Sequence, residues 1–255
     1  VAHTVHSLDF SENTQNMRQN ILTTKEHEAF KTALFQLTNR VLENKGALLE
    51  KQLLKIEELR KRQRNFLKRK YSLTSSTDFA LCIKILLDDC REFGTKPFSI
   101  IARCAFMAEE LLRSAGRKGL ISKETIASIR AGIRTPLSDF IEIEKKAEKG
   151  TDDWNRFINE YGHLRPGTYD ILSPRFDQRL DSINEKKDLE NNKDHSINEF
   201  ITRNESISLT HLSTYLATKE YSFDGSELIN FFYRSAWARE YAKLQFTRNV
   251  SDTLE

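Results

Sequence analysis

Glycine and proline are scarce, nine and four in 255 residues. Short strands need turn residues roughly every 8–12 positions, so the deficit argues against turn-rich β structure and for long helices. Cysteine is nearly as rare. Cys82, Cys90 and Cys104 are odd in number, lie in apolar helical patterns and lack metal-ligand spacing. They are read as core thiols in a reducing cytoplasm rather than as a disulfide framework or a zinc site. No apolar run is long enough to span a bilayer and no secretory signal is seen, so no membrane partner is expected and the expected location is cytoplasmic. An excess of one charge is also missing. Forty Lys and Arg face 37 Asp and Glu, a net of +3, which provides no bulk polyanion binding. A start at Val1 rather than Met suggests a processed or shortened chain.

Several catalytic signatures are absent too. There is no Gly-rich phosphate cradle of the Walker or dinucleotide type, no G-x-S-x-G elbow and no H-E-x-x-H. His27 and Glu28 lack the second histidine. No metal ligand set, no bound cofactor and no catalytic residue are expected in this chain alone. No repeat of solenoid period occurs.

What is present is helical periodicity. With 38% hydrophobic residues, the chain can bury one sizeable core, with or without a projecting part. The expected fold is all-α, an irregular multi-helix domain. Residues 1–22 read as a partly ordered lead-in, with His3 and His6 solvated. Phe30, Leu34, Leu37 and Val41 recur at helical spacing, Gly46 marks a break, and Leu49, Leu53, Ile56 and Leu59 resume it. Residues 1–72 are therefore read as a helical hairpin and 73–255 as the core domain. The basic run Lys55 to Lys70 reads as a solvated helix face, with a nucleic-acid or acidic-lipid patch as the alternative.

Ser75-x-x-Asp78 and Asp224-x-x-Glu227 look like capping boxes, and Ser122 caps a third helix. Phe79, Ile83, Leu86, Cys90 and Phe93 form a stripe expected to be buried, ended by Gly94. Phe98, Ile101, Ala105, Ala108 and Leu112 form a second, and the short Gly-Thr-Lys link predicts an antiparallel pair. Pro136 restarts the chain, with Leu137, Phe140, Ile141 and Ile143 apolar. Around 206–210 a strand is a weak alternative to helix. The final helix is apolar nearly all round from Leu228 to Ala238 and is expected to be the most buried element.

Tyr161 to Phe176 interrupts this pattern with two of the four prolines and two of the nine glycines. Arg165-Pro166-Gly167-Thr168 predicts a type II turn. The loop displays His163, Arg165, Asp170 and Arg175. The arginines suit a carboxylate or phosphate clamp and Asp170 an orienting or basic role. The alternative is structural: Asp170 pairs an arginine and His163 caps a carbonyl. A polar segment, 177–194, follows and reads as a mobile excursion or exposed helix end.

This loop resembles the Y-G-H-x-x-P-G-x-x-D-x-x-x-P-R segment of phosphoenolpyruvate-utilising enzymes, namely phosphoenolpyruvate synthases, pyruvate phosphate dikinases and rifampicin phosphotransferases. Gly94 to Phe106 and Arg239 to Asn249 are similar to further segments of such proteins. The resemblance implies the central helical, acceptor-binding domain of a phosphotransferase. In such enzymes an ATP-grasp domain phosphorylates a histidine on a swivelling domain, which delivers the phosphoryl group to a second site. Those two domains of the full-length protein and a small-molecule acceptor would be the partners. ATP and magnesium would serve the whole enzyme, while this chain alone would be inactive. His163, Arg165, Asp170 and Arg175 would contribute to substrate binding. Arg239 and Lys243, four apart on one helix face and similar to the family's R-E-x-x-K run, would join them. The alternative is a non-catalytic helical module that binds a protein or nucleic acid.

Overall fold

The computed structural model describes residues 4–15, 17, 21–68, 75–146, 152–165, 172–178 and 203–254. The fold is all-α, with no strand among the described residues. In chain order the elements are α1 (Phe10–Asn13), α2 (Thr24–Leu67), α3 (Ser76–Asp89), a π-helical stretch (Cys90–Thr95) and α4 (Lys96–Arg117). There follow α5 (Lys123–Ala131), α6 (Pro136–Lys146), α7 (Asp152–Tyr161), a 3-10 turn (Phe176–Gln178), α8 (Arg203–Thr218) and α9 (Gly225–Leu254).

The helices start where their caps predict. Ser75 Oγ accepts from the Asp78 N–H at 3.1 Å, and Asp78 Oδ2 accepts from the Ser75 N–H at 3.3 Å. Asp224 and Glu227 form the same reciprocal pair at 2.9 and 3.1 Å. Ser122 Oγ accepts from the Thr125 N–H at 3.1 Å. Each bond satisfies a donor that the first helical turn leaves open. The break in α2 is also present: Glu43 to Gly46 leave the helical backbone, and Gly46 has φ 78°. A Cβ there would stand 2.8 Å from the Phe231 ring, so conformation and space both require glycine.

Contacts group the chain into two interleaved units, where hydropathy divides it once near residue 72. The first comprises Val1–Lys55, Pro97–Ile133 and Ile197–Arg239; the second comprises Ile56–Lys96, Arg134–Ser196 and Glu240–Glu255. In the first, Ile101, Ala105, Ala108 and Leu112 of α4 are buried as their spacing predicts, with Leu34, Val41, Leu49, Leu212, Leu216, Leu228 and Phe231. In the second, Phe157, Tyr161 and Phe176 form an aromatic cluster, packed by Phe140, Ile143, Trp154, Ile158, Leu164 and Leu244.

Several expectations fail. Phe79 and Ile83 are 45% and 43% exposed, so the α3 stripe is buried only at Leu86 and Cys90. Periodicity aligns apolar residues but does not supply a covering partner. No turn separates α3 from α4 either. Backbone dihedrals stay helical at Cys90 and Lys96, and the Lys96 N–H donates to the Arg91 carbonyl across a wide π turn. Gly94 therefore does not end a helix. It is buried, and a Cβ on it would lie 3.1 Å from both Leu59 Cδ2 and Phe246 Cβ. The lead-in is packed rather than loose. Val5, Leu8 and Phe10 are buried, and His6 is half-buried with Nδ1 2.8 Å from Tyr221 Oη. Leu37, Leu137 and Ile141 are exposed on their own helices, and Trp237 is exposed on α9, so α9 is not buried all round. Residues 206–210 are helical within α8, and the strand alternative falls. His3, the turn at 166–169 and the segment 179–194 lie outside the described residues.

Candidate functional site

Tyr161 ends α7, and Gly162 turns the chain. A Cβ on Gly162 would meet the Ile158 carbonyl oxygen at 2.4 Å, so only glycine fits. The two ends of the loop are then tied by their backbones. The Phe176 N–H donates to the Leu164 carbonyl at 2.9 Å and the Asp177 N–H to the Gly162 carbonyl at 3.1 Å. Phe176 drops into the aromatic cluster and anchors the far end.

The loop's polar side chains are fixed by α9. Arg175 is buried and its guanidinium is fully engaged. Nε and Nη2 donate to Asp177 at 3.0 and 2.6 Å, and Nη1 donates to Asp252 Oδ1 at 2.8 Å. Asp252 also accepts from Gln63 Nε2 at 2.5 Å. Arg165 donates from Nε to the Ser173 carbonyl at 3.0 Å and from Nη1 to Ser251 Oγ at 2.8 Å. Ser251 in turn donates to the His163 carbonyl at 3.0 Å. Both arginines thus hold the loop's shape with bonds that a substrate clamp would have to break. Asp170, assigned a pairing or substrate role from the sequence, lies outside the described residues.

His163 is buried, and Arg248 Nε donates to its Nδ1 at 3.3 Å. A guanidinium only donates, so Nδ1 is the acceptor and Nε2 carries the proton. Nε2 is buried with no hydrogen-bond partner among the described residues. Burial, then the positive charges of Arg248 and Arg175, and last that of Arg165, push the imidazole down to about 2, with the Leu244 backbone acting the other way. The ring is therefore neutral at physiological pH, a donor rather than an acid-base group poised near 7.

Behind His163 runs a charged network. Arg248 also donates to the Glu160 carbonyl, and Arg60 Nη2 donates to Glu160 Oε1 at 2.6 Å. Arg60 Nη1 donates to Tyr241 Oη at 3.3 Å, and the Tyr241 hydroxyl donates to Glu57. Burial and the Glu57 bond push the Tyr241 hydroxyl up to about 12, so it keeps its proton. Gln245 and Asn249, four apart on α9, are fully buried without a hydrogen-bond partner among the described residues. An unsatisfied buried amide costs about 1–3 kcal/mol, and a helix selected only for packing would carry apolar residues there.

The remaining predicted residues stand elsewhere. Arg239 lines an open cleft formed by first-unit residues alone, which includes neither His163 nor Arg165. Lys243, in the second unit, is exposed. Sequence reasoning missed Glu160, Arg60, Arg248, Ser251 and Asp252. Arg248 lay inside the similar segment Arg239 to Asn249, and the spacing Tyr241, Gln245, Arg248, Asp252 on one helical face was the available signal. Ser251 and Asp252 read as an ordinary polar helix end. Among the described residues no cluster of three or more His, Cys, Asp or Glu could hold a metal, and no helix is long and apolar enough to cross a membrane.

No protein-family model matches this sequence, no curated protein matches it, and no solved structure matches its fold.

Proposed function

We propose that this chain is the acceptor-binding helical domain of a phosphoenolpyruvate-synthase-like phosphotransferase, receiving a phosphoryl group from a phosphohistidine on a separate swivelling domain. One observation carries the reading. The segments that resemble that family are far apart in sequence yet supply one polar network: His163 from the first bonds Arg248 from the second. Gly94, from the remaining segment, packs on Phe246 of that same helix. In this reading Arg165 and Arg175 position the loop, His163 Nε2–H is its donor, and exposed Lys243 meets the incoming anion.

The gene product is tested as two half-reactions with β-labelled ATP. A phosphohistidine should form and should discharge when acceptor is added. Lys243→Ala should slow the discharge by tenfold or more and leave phosphohistidine formation unchanged. A product that forms no phosphohistidine removes the reading.

A second reading is favoured by α3, where Phe79, Leu81, Ile83, Ile85 and Leu87 are all exposed. Exposed apolar side chains at this density mark interaction surfaces, which suits a helical module that binds another protein. A nucleic-acid version is weaker, because Arg60 and Arg62 are paired with Glu160, Glu58 and Asp89. A gene that encodes no ATP-grasp and no swivelling domain beside this one would favour the module.

A further inference from the structure

The first unit holds an open cleft of about 420 Å³ whose ring-bearing wall is His6, Phe10, Phe35, Tyr215 and Tyr221. That volume lies within the range of about 300–1,000 Å³ typical of small-molecule sites. The His6 imidazole is held from several sides. It stacks on Phe10 with ring centroids 4.6 Å apart and meets Phe35 edge-on at 5.2 Å. Its Nδ1 lies 2.8 Å from Tyr221 Oη, and that hydroxyl lies 3.0 Å from the His6 carbonyl oxygen. A carbonyl only accepts, so the single Tyr221 proton goes there and Nδ1–H donates to Oη. The tautomer is thereby fixed, and Nε2 carries the lone pair. Nε2 bonds no described residue and is not sealed from solvent. Burial and the Lys31 charge push the ring down to about 4, so the lone pair is free at neutral pH. A tether for the start of the chain needs Nδ1 alone. Between Phe10 and Phe35 an apolar ring would pack as well, and the second nitrogen is what histidine adds.

The rest of the lining sets what a ligand has to bring. Tyr215 Oη also spends its proton on a backbone carbonyl, that of Leu8 at 3.1 Å. The ring-bearing wall therefore presents faces and acceptors, with its donors already used. The charges on the lining balance, because Lys31, Lys118 and Lys219 stand against Glu12, Glu28 and Glu220. Lys118 pairs with Glu12 at 2.6 Å and Lys31 with Glu28 at 3.4 Å, so the cleft selects neither an anion nor a cation. We propose that this cleft binds a small neutral planar ring bearing an O–H or N–H, which donates to His6 Nε2 while the ring packs against the aromatic wall. A site built to hydrogen-bond a ligand's O–H or N–H rejects the analogue that lacks it, whereas an apolar wall alone discriminates little. None of the loop residues 161–176 lines this cleft, and the inference does not rest on phosphoryl transfer.

The test is calorimetric titration of the intact chain with two matched pairs, phenol against anisole and indole against N-methylindole. At least one of phenol and indole should bind with a Kd of about 1 mM or tighter, and its methylated partner at least about tenfold more weakly. Benzoate and benzylamine should bind no better than anisole. His6→Phe keeps a ring between Phe10 and Phe35 and removes the acceptor, so phenol and indole should fall to the level of their methylated partners. In the unchanged chain at pH 7, the imidazole nitrogen resonances should show His6 Nε2 unprotonated. Phenol or indole should shift that resonance, and the methylated compounds should not. Equal affinity within both pairs, no binding by either donor, tighter binding of benzoate or benzylamine, undiminished discrimination in His6→Phe, or a protonated Nε2 overturns the proposal. If His6→Phe does not fold, the nitrogen resonances of the unchanged chain decide. A gene product without phosphohistidine removes the acceptor role of the chain and leaves this cleft standing.

Discussion

The sequence places Arg175, as a clamp, and His163 together among the substrate-binding residues of one loop, and the fold gives them different roles. Arg175 uses Nε, Nη1 and Nη2 on Asp177 and Asp252, so it is a tie between loop and helix. His163 is the buried group whose Nε2 is unpartnered among the described residues. That burial has a pH consequence. Burial pushes the His163 ring down to about 2, and burial and the Lys31 charge push the His6 ring down to about 4, where an ordinary histidine lies at 6.5. Below 6.5 the unfolded chain binds protons that the folded chain refuses. The stability held by the neutral rings is complete above that pH and is lost as pH falls toward the folded values. Urea midpoints should therefore drop between pH 7.5 and 5, above the range where the carboxylates titrate. His163→Gln should flatten part of that slope, because it cannot charge. A midpoint constant from pH 7.5 to 5, or an identical slope in the variant, contradicts the buried neutral ring.

Among elements, α3 and the π-helical stretch after it depart most from the sequence reading. The sequence shows an apolar helix ended by Gly94; the chain instead stays helical through it. Pro97 lacks the N–H that an α-helix would place against a carbonyl four residues back, and the wide turn before it relieves that clash. Gly94 lets Leu59 and Phe246 approach, a requirement no local pattern displays. The exposed face predicts a contrast within one helix. Ile83→Ser should change the chain's unfolding free energy by less than about 0.5 kcal/mol, as open surface substitutions do. Leu86→Ala, at a buried position, should cost about 2–5 kcal/mol. Equal losses measured by chemical denaturation would mean that α3 is covered on both faces in solution.

At the scale of the whole molecule, helices and polar networks are present but the parts that activate a nucleotide are not written in the sequence. No Gly-rich cradle and no swivelling-domain histidine segment occur in these 255 residues. This chain, incubated with ATP, magnesium and pyruvate, should release no AMP and make no phosphoenolpyruvate. AMP from a clean preparation would overturn the domain assignment. The units interleave along the chain, so the residues of each network come from stretches distant in sequence. Glu57, Glu160 and Tyr241 meet on Arg60 and its partners although more than a hundred residues separate Glu57 from Glu160.

By itself the sequence determined the class and the punctuation. Scarce Gly and Pro with apolar spacing of three and four left helix as the local solution. Ser75, Ser122 and Asp224 cap the helices where they stand, because a cap is a bond between residues three apart. The backbone kink at Gly46 and the tight fit at Gly162 belong to the same local order. The tertiary structure decided which apolar faces are covered, which arginines are spent on carboxylates and which histidine is buried. Those outcomes depend on partners brought from far along the chain. Asp252 turns Arg175 into a structural tie, Arg248 sets the tautomer of His163, and Arg239 stands over Phe106 in a cleft. Residue type and spacing are the same whether or not such partners arrive, so only packing could tell these alternatives apart.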